Sequence, residues 1–291
     1  MSRAIYIATG EAESGKSIIT LGLMSILLGR TRKVGYFRPI IEVNDPSKKD
    51  NHIETVLTHF NLELEYEECY AMTVTDVIKR KTQDKEGEIL DIIIKKYKEL
   101  EDRFDFILVE GTDFSGEAVF VELDINAIIA KNLGIPVILV GSGKGKSNEE
   151  LLTNLHLAHD SFSDKEVRVL GIVANKVDEP EIETVSKALD AIVDERTFVG
   201  VIPMIKSLNN PTIKEISEEL EAKVMIGEDQ LDNQVENSAV GAMQLRNFLT
   251  HLKQNCLVIT PGDRADVILG ALQASISDNY PKIAGIILTG G

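Results

Sequence analysis

Gly10-Glu11-Ala12-Glu13-Ser14-Gly15-Lys16-Ser17 satisfies the pattern G-x-x-x-x-G-K-[ST] at every constrained position. It stands between Ala4-Ile5-Tyr6-Ile7-Ala8, a short apolar run that reads as a buried strand, and Ser17 to Leu28, a stretch long enough for a helix. Strand, glycine loop and helix form the context in which such a loop cradles phosphate. Gly10 and Gly15 let the backbone approach an anion closely, and the first helical N–H groups favour negative charge. Lys16 adds a point charge for terminal phosphates, and Ser17 supplies a hydroxyl for Mg²⁺. Gly10, Ser14, Gly15, Lys16 and Ser17 are therefore the candidate nucleotide ligands of this loop.

Working outward, Lys33 to Ile40 reads as a second strand that runs into a loop at Pro39. Helices are predicted over 51–60 and 86–101, the latter with Leu90, Ile93, Ile94, Tyr97 and Leu100 at helical spacing. The acidic run Glu63 to Glu68 reads as a solvated surface. Asp105-Phe106-Ile107-Leu108-Val109-Glu110-Gly111-Thr112 is an apolar strand ending in a carboxylate and a glycine. A carboxylate at the end of a strand beside the phosphate loop is placed to steady Mg²⁺ or its water, which makes Glu110 a metal candidate with Ser17.

Helices over 122–133, 148–160 and 180–193 alternate with strands at 137–140, 169–174 and 198–203. This alternation predicts a parallel sheet covered by helices on both faces. Gly141 to Ser147 resembles a second phosphate loop but fails its spacing, since the first glycine would fall on Val140. It is expected near the same crevice, where either Lys144 or Lys146 approaches phosphate or the segment is a mobile polar loop. Asn175-Lys176 follows a strand directly, a position suited to reading a purine base through an amide.

Ser207 to Thr212 has linker composition, so two domains are expected, 1–212 and 213–291. In the second, Met243 to Leu252 reads as an amphipathic helix and Cys256 to Thr260 as a strand. Pro261 to Arg264 reads as a turn, with a helix through Val267 and Leu272 and a strand at Ile283 to Leu288. The chain stops at Gly291, right after that strand, which predicts a piece of a longer polypeptide.

Among 291 residues, 31 Lys and Arg oppose 47 Asp and Glu, a net charge of −16. That balance argues against nucleic acid or an anionic membrane surface as a partner. Any nucleotide must be held by a local cationic site. Two distant cysteines, Cys69 and Cys256, suggest neither a disulfide framework nor a zinc site. With no leader pattern at the start and no apolar run of ~18 residues, a cytoplasmic location is expected. Five scattered histidines, His52 among them, form no nucleophile constellation by spacing.

The phosphate loop, Tyr36-Phe37-Arg38-Pro39-Ile40, Val109 to Phe114 and Asn175-Lys176 together resemble a known arrangement. It is the dethiobiotin-synthetase-like P-loop domain at the amino terminus of long-form bacterial phosphate acetyltransferases. The second part resembles the DRTGG domain that follows it in those enzymes, through Asp263-Arg264 and Thr289-Gly290-Gly291. The resemblance implies an α/β P-loop fold followed by a smaller α/β DRTGG-type domain. It implies a parent enzyme interconverting acetyl-CoA plus phosphate with acetyl phosphate plus CoA, whose acetyl-transfer site lies in a carboxyl-terminal domain that no part of this chain matches. Residues 1–291 would be the regulatory half, binding ATP or another nucleoside triphosphate with Mg²⁺ or a metabolite effector. The same analogy implies contact with the acetyltransferase domain of the same polypeptide and a homo-oligomer.

A true ATP-dependent ligase of the dethiobiotin-synthetase type is the alternative. Motif matching would then give Ser17, Glu110 and Asp50 the metal, Lys16 the phosphates and Asn175 the base. Where that family carries Lys-Pro, this chain has Arg38-Pro39, which can clamp phosphate but replaces a compact ammonium poorly. A third reading is a nucleotide-sensing module without chemistry.

Overall fold

The structure is a computed structural model describing residues 3–11, 14–31, 33–43, 49–112, 119–205, 208 and 210–290. The chain divides into two compact units, Met1–Met204 and Ile205–Gly291.

In the first unit, β1 (Ala4–Thr9) leads through the glycine loop into α1 (Lys16–Leu28), followed by β2 (Val34–Ile41) and α2 (Asn51–Phe60). Then come β3 (Tyr70–Thr73), α3 (Val74–Thr82), α4 (Glu86–Glu101), β4 (Phe106–Glu110) and α5 (Val119–Leu133). β5 (Val137–Ser142), α6 (Asn148–Asp164), β6 (Val169–Val177), α7 (Ile182–Asp190) and β7 (Phe198–Pro203) complete it. The seven strands form one sheet in the order β3-β2-β4-β1-β5-β6-β7, and every pairing is parallel. Successive strand residues point to opposite faces, and all of β2 and all of β5 are buried. Both faces are therefore covered, as apolar strands of this kind require.

This topology positions the site. From β1 the chain moves to β2 on one side, and from β5 to β6 on the other, so the order reverses between β1 and β5. Ligands of open α/β sheets sit outside the carboxyl ends of strands at such a reversal. Gly10 and Gly111 lie just past the ends of β1 and β4, Ser142 is the last residue of β5, and Asn175 lies two residues before the end of β6.

Two elements of this unit escape the hydrophobic pattern. β3 is a four-residue edge strand, Tyr70-Ala71-Met72-Thr73, with only Met72 buried. α3 is short and mostly polar, and it forms because Thr73 and Asp76 build a reciprocal capping box.

The second unit contains α8 (Ile213–Glu219), β8 (Asn237–Val240), α9 (Leu245–Leu249), β9 (Cys256–Pro261), α10 (Ala265–Ile276) and β10 (Ile283–Thr289). Its three strands are parallel in the order β10-β9-β8. One cluster buries Phe248, Leu252, Val258, Val267, Ala271 and Ala274. A smaller one joins Val235, Leu257 and Ala284 to Ile213 and Ile216. The helix expected over Met243 to Leu252 is regular only over the five residues of α9. Cys69 and Cys256 are both buried free thiols.

Candidate functional site

α1 opens on a left-handed glycine, as no other α-helix does whose N-cap lies among the described residues. Gly15 is its N-cap, at φ 81°, with no side-chain cap and no acidic residue in the first turn. By contrast α2, α3, α6 and α8 are each closed by a side-chain acceptor, from Asp50, Thr73, Ser147 and Thr212. Lys16 N donates to Ser14 Oγ at 3.3 Å, and a helix start without a cap at its N-cap residue offers its remaining first-turn N–H groups and positive dipole end to an external anion.

Gly15 is needed for two reasons. Its φ lies in the left-handed region, and a Cβ there would come within 2.2 Å of Asn175 Nδ2. Asn175 accordingly packs on the loop, its Nδ2 donating to Ser14 O at 2.9 Å. The sequence reading places Asn175 at a base, whereas this hydrogen bond puts its amide nitrogen on the phosphate loop itself. Lys176 adopts φ 57°, and its Cε lies 3.4 Å from where a Gly15 Cβ would be.

Lys16 is buried, at 2% exposure, and its ammonium donates to Gly111 O. The strand end that presents this carbonyl is fixed from α5. Asn126 Oδ1 accepts from Tyr6 OH at 2.6 Å and from Thr112 N at 3.0 Å, and Asn126 Nδ2 donates to Thr112 O at 3.1 Å. Gly111 leaves room for this clamp, since a Cβ would meet Asn126 Oδ1 at 2.6 Å.

Glu110 is fully buried. Tyr36 OH donates to its Oε2 at 2.8 Å, and His52 Nδ1 lies 2.7 Å from its Oε1. The same Nδ1 lies 2.8 Å from Ser17 Oγ. Burial alone would raise the Glu110 carboxyl, but the His52 hydrogen bond and the nearby Arg38 and Lys16 charges prevail and hold it well below the usual carboxylate range. Tyr36 moves the other way: its own burial and the Glu110 charge raise it well above the ordinary tyrosine range, so it remains a hydrogen-bond donor. Ser17 and Glu110, far apart in sequence, are thus both within hydrogen-bond distance of one His52 nitrogen. His52 and Tyr36 were not anticipated. The usable signal for His52 was its place in the first turn of α2, just past the strand-to-helix connection beside the loop.

Arg38 and Asp50 meet each other. Arg38 Nη1 donates to Asp50 Oδ1 at 2.8 Å and to Oδ2 at 2.7 Å. Asp50 also caps α2, accepting from Ile53 N at 3.0 Å, while its own N–H donates to Tyr66 OH at 2.6 Å. The residue that α2 presents to Ser17 and Glu110 is His52, two positions further on. The Gly141–Ser147 loop does border the crevice: Ser142 N donates to Glu11 Oε1 at 2.5 Å, and Lys146 forms an ion pair with Glu11. Lys146 therefore neutralises the one described acidic side chain of the phosphate loop.

A cleft of about 210 Å³ lies beside these groups, lined by Ser17, Leu21, His52, Thr55, Val56 and Glu110 among others. Among the described residues no three His, Cys, Asp or Glu side chains gather into a metal site. A cation here would be shared between the Ser17 hydroxyl, the Glu110 carboxylate and phosphate oxygens, the hard-oxygen set that suits Mg²⁺. No helix of the described residues is long and apolar enough to cross a membrane.

In the second unit, Arg264 Nη2 donates to Met243 O at 2.8 Å, and its Nε donates to Asp266 Oδ1 at 2.9 Å. Gly262 N donates to Thr289 O at 2.9 Å. The residues Asp263-Arg264 and Thr289-Gly290, distant in sequence, thus lie at the carboxyl ends of neighbouring strands. Gly291, like Asp113 and Phe114, falls outside the described residues.

A phosphate acetyltransferase of Nitratidesulfovibrio vulgaris is 41% identical over 295 residues, which cover 100% of this chain and 42% of that protein. A phosphate acetyltransferase of Synechocystis is 39% identical, covering 99% of this chain and 42% of that protein. The chain thus spans about two fifths of the length of these relatives. Among solved structures, cobyrinic acid a,c-diamide synthase from Mycobacterium smegmatis, with ADP and magnesium, superimposes with a TM-score of 0.43 at 14% identity. It covers 71% of this chain and 89% of that one. A GTPase from Pyrococcus abyssi gives a TM-score of 0.40 at 13% identity, covering 88% and 90%. Family models match an AAA domain (AAA_26) over residues 3–212 and a DRTGG domain over 215–291, so the chain belongs to the AAA_26 family and carries a DRTGG domain behind its P-loop domain.

Proposed function

We propose that this chain is the regulatory, nucleotide-binding part of a phosphate acetyltransferase. The observation that carries the reading is the convergence at the open start of α1. Lys16 is buried against Gly111 O, and Ser17 and Glu110 are brought together through His52. ATP or another nucleoside triphosphate would lie along Gly10 to Ser17, with its phosphates on the loop N–H groups and Lys16. Ser17 and Glu110 would hold Mg²⁺, which neutralises phosphate charge. Asp50 acts through Arg38 and the start of α2.

The names of the relatives, and the two fifths of their length that the chain spans, support a parent enzyme that exchanges the acetyl group between CoA and phosphate. The acetyl-transfer chemistry is assigned to the remainder of that polypeptide. Nucleotide or metabolite binding here would tune that chemistry in a homo-oligomer.

Titration calorimetry with ATP and GTP in the presence of Mg²⁺ tests the site. Wild type should bind at least one of them, and Lys16→Ala should weaken that binding more than tenfold, about 1.4 kcal/mol or more. Equal heats in both proteins, or none in either, would refute it. The purified chain should form no acetyl phosphate from acetyl-CoA and phosphate; measurable formation would overturn the assignment of the chemistry elsewhere.

A further inference from the structure

We propose that His52 and the divalent cation compete for a single seat, so that His52 sets how readily this site accepts its metal. The proposal rests on the nucleotide-site reading above and concerns the regulation of that site.

The geometry around one atom carries it. His52 Nδ1 is 2.8 Å from Ser17 Oγ and 2.7 Å from Glu110 Oε1. A neutral ring nitrogen offers either one hydrogen or one lone pair. Against a carboxylate, which only accepts, Nδ1 must carry the hydrogen. Ser17 Oγ then turns a lone pair toward that same N–H. Two oxygen lone pairs thus converge on one positive hydrogen, and they belong to the two residues that would ligate the metal.

Glu110 is fully buried and its other oxygen is occupied by Tyr36 OH, so besides the nearby Arg38 and Lys16 charges its Oε1 needs a hydrogen-bond donor or a cation of its own. An imidazole N–H meets that need, and so does a cation; the two cannot occupy one position. Withdrawal costs little packing. The His52 side chain is about one third exposed, at 32%, and it borders the 210 Å³ cleft with Leu21, Thr55 and Val56.

The test uses the full chain and measures affinity for ADP with Mg²⁺ and for ADP in chelator, in wild type, His52→Ala and His52→Asn. Freeing the seat should tighten Mg²⁺-dependent ADP binding roughly three- to tenfold, by the fraction of molecules in which the imidazole held it. Affinity for metal-free ADP should stay the same. In wild type, the His52 imidazole resonance, assigned by its loss in His52→Ala, should shift when Mg²⁺ is added to the ADP complex. Equal or weaker Mg²⁺-dependent binding in both variants, or an unmoved resonance, overturns the competition while leaving the nucleotide site intact. If no protein binds ADP, ATP or GTP with or without metal, the nucleotide reading fails and the competition fails with it.

Discussion

Arg38 Nη1 bridges both oxygens of Asp50, at 2.8 and 2.7 Å, with the two side chains only 4% and 6% exposed. A pair this deeply buried is sensitive to the loss of either member, because the survivor loses a bidentate partner for a charge that stays out of water. Asp50→Ala should cost about 3–5 kcal/mol, including the lost cap of α2, and Arg38→Met a similar amount. Replacing both with apolar residues should recover much of the loss. Urea denaturation midpoints at constant slope would measure this; additive losses in the double variant would contradict it.

Gly15→Ala should abolish nucleotide binding and lower stability by about 1–3 kcal/mol. It combines a left-handed φ with a 2.2 Å approach to Asn175 Nδ2. Asn175→Ala in the same background removes the collision but not the backbone strain, so it should restore only part of the stability. Thermal melts of wild type, Gly15→Ala and the double variant separate the two contributions.

Glu110 predicts a pH dependence. Its folded-state carboxyl lies well below the ordinary value of 4.5 because His52, Arg38 and Lys16 outweigh the effect of burial. Below 4.5 the unfolded chain takes up this proton first, so acid favours unfolding. The stabilisation is complete above that pH and drains away as pH falls toward the depressed folded value. Glu110→Gln should be less stable than wild type at pH 7 and should lose less stability between pH 5 and pH 3. Parallel acid profiles for the two proteins would contradict the prediction.

Phe248 is fully buried in the small cluster that holds α9 and α10 on the three-stranded sheet. Phe248→Ala should cost about 3–5 kcal/mol, enough to unfold a core of that size. Nucleotide binding at Gly10 to Ser17 should persist, since those residues belong to the other compact unit. Simultaneous loss of nucleotide binding would show that the two units do not fold separately.

The sequence made the sheet legible because buried parallel strands are apolar runs, and Val109, Ile138 and Ile172 announce theirs. It concealed β3 and β8 because Tyr70 to Thr73 and Asn237 to Val240 are short, edge-placed and only partly buried. Neither alternation nor a continuous apolar run marks them. The loop residues Gly15, Lys16 and Ser17 were legible from spacing, and Glu110 from its place at a strand end. Partnerships were not. That Asp50 serves Arg38, that Lys146 serves Glu11 and that His52 reaches Ser17 all depend on where side chains point once distant segments are packed. A linear pattern does not encode those directions.

Asn126 gives α5 leverage over anion recognition. It fastens Tyr6 on the strand leading into the loop and Thr112 just past the carbonyl that Lys16 touches. A displacement of that helix would carry with it the strand end whose carbonyl anchors Lys16.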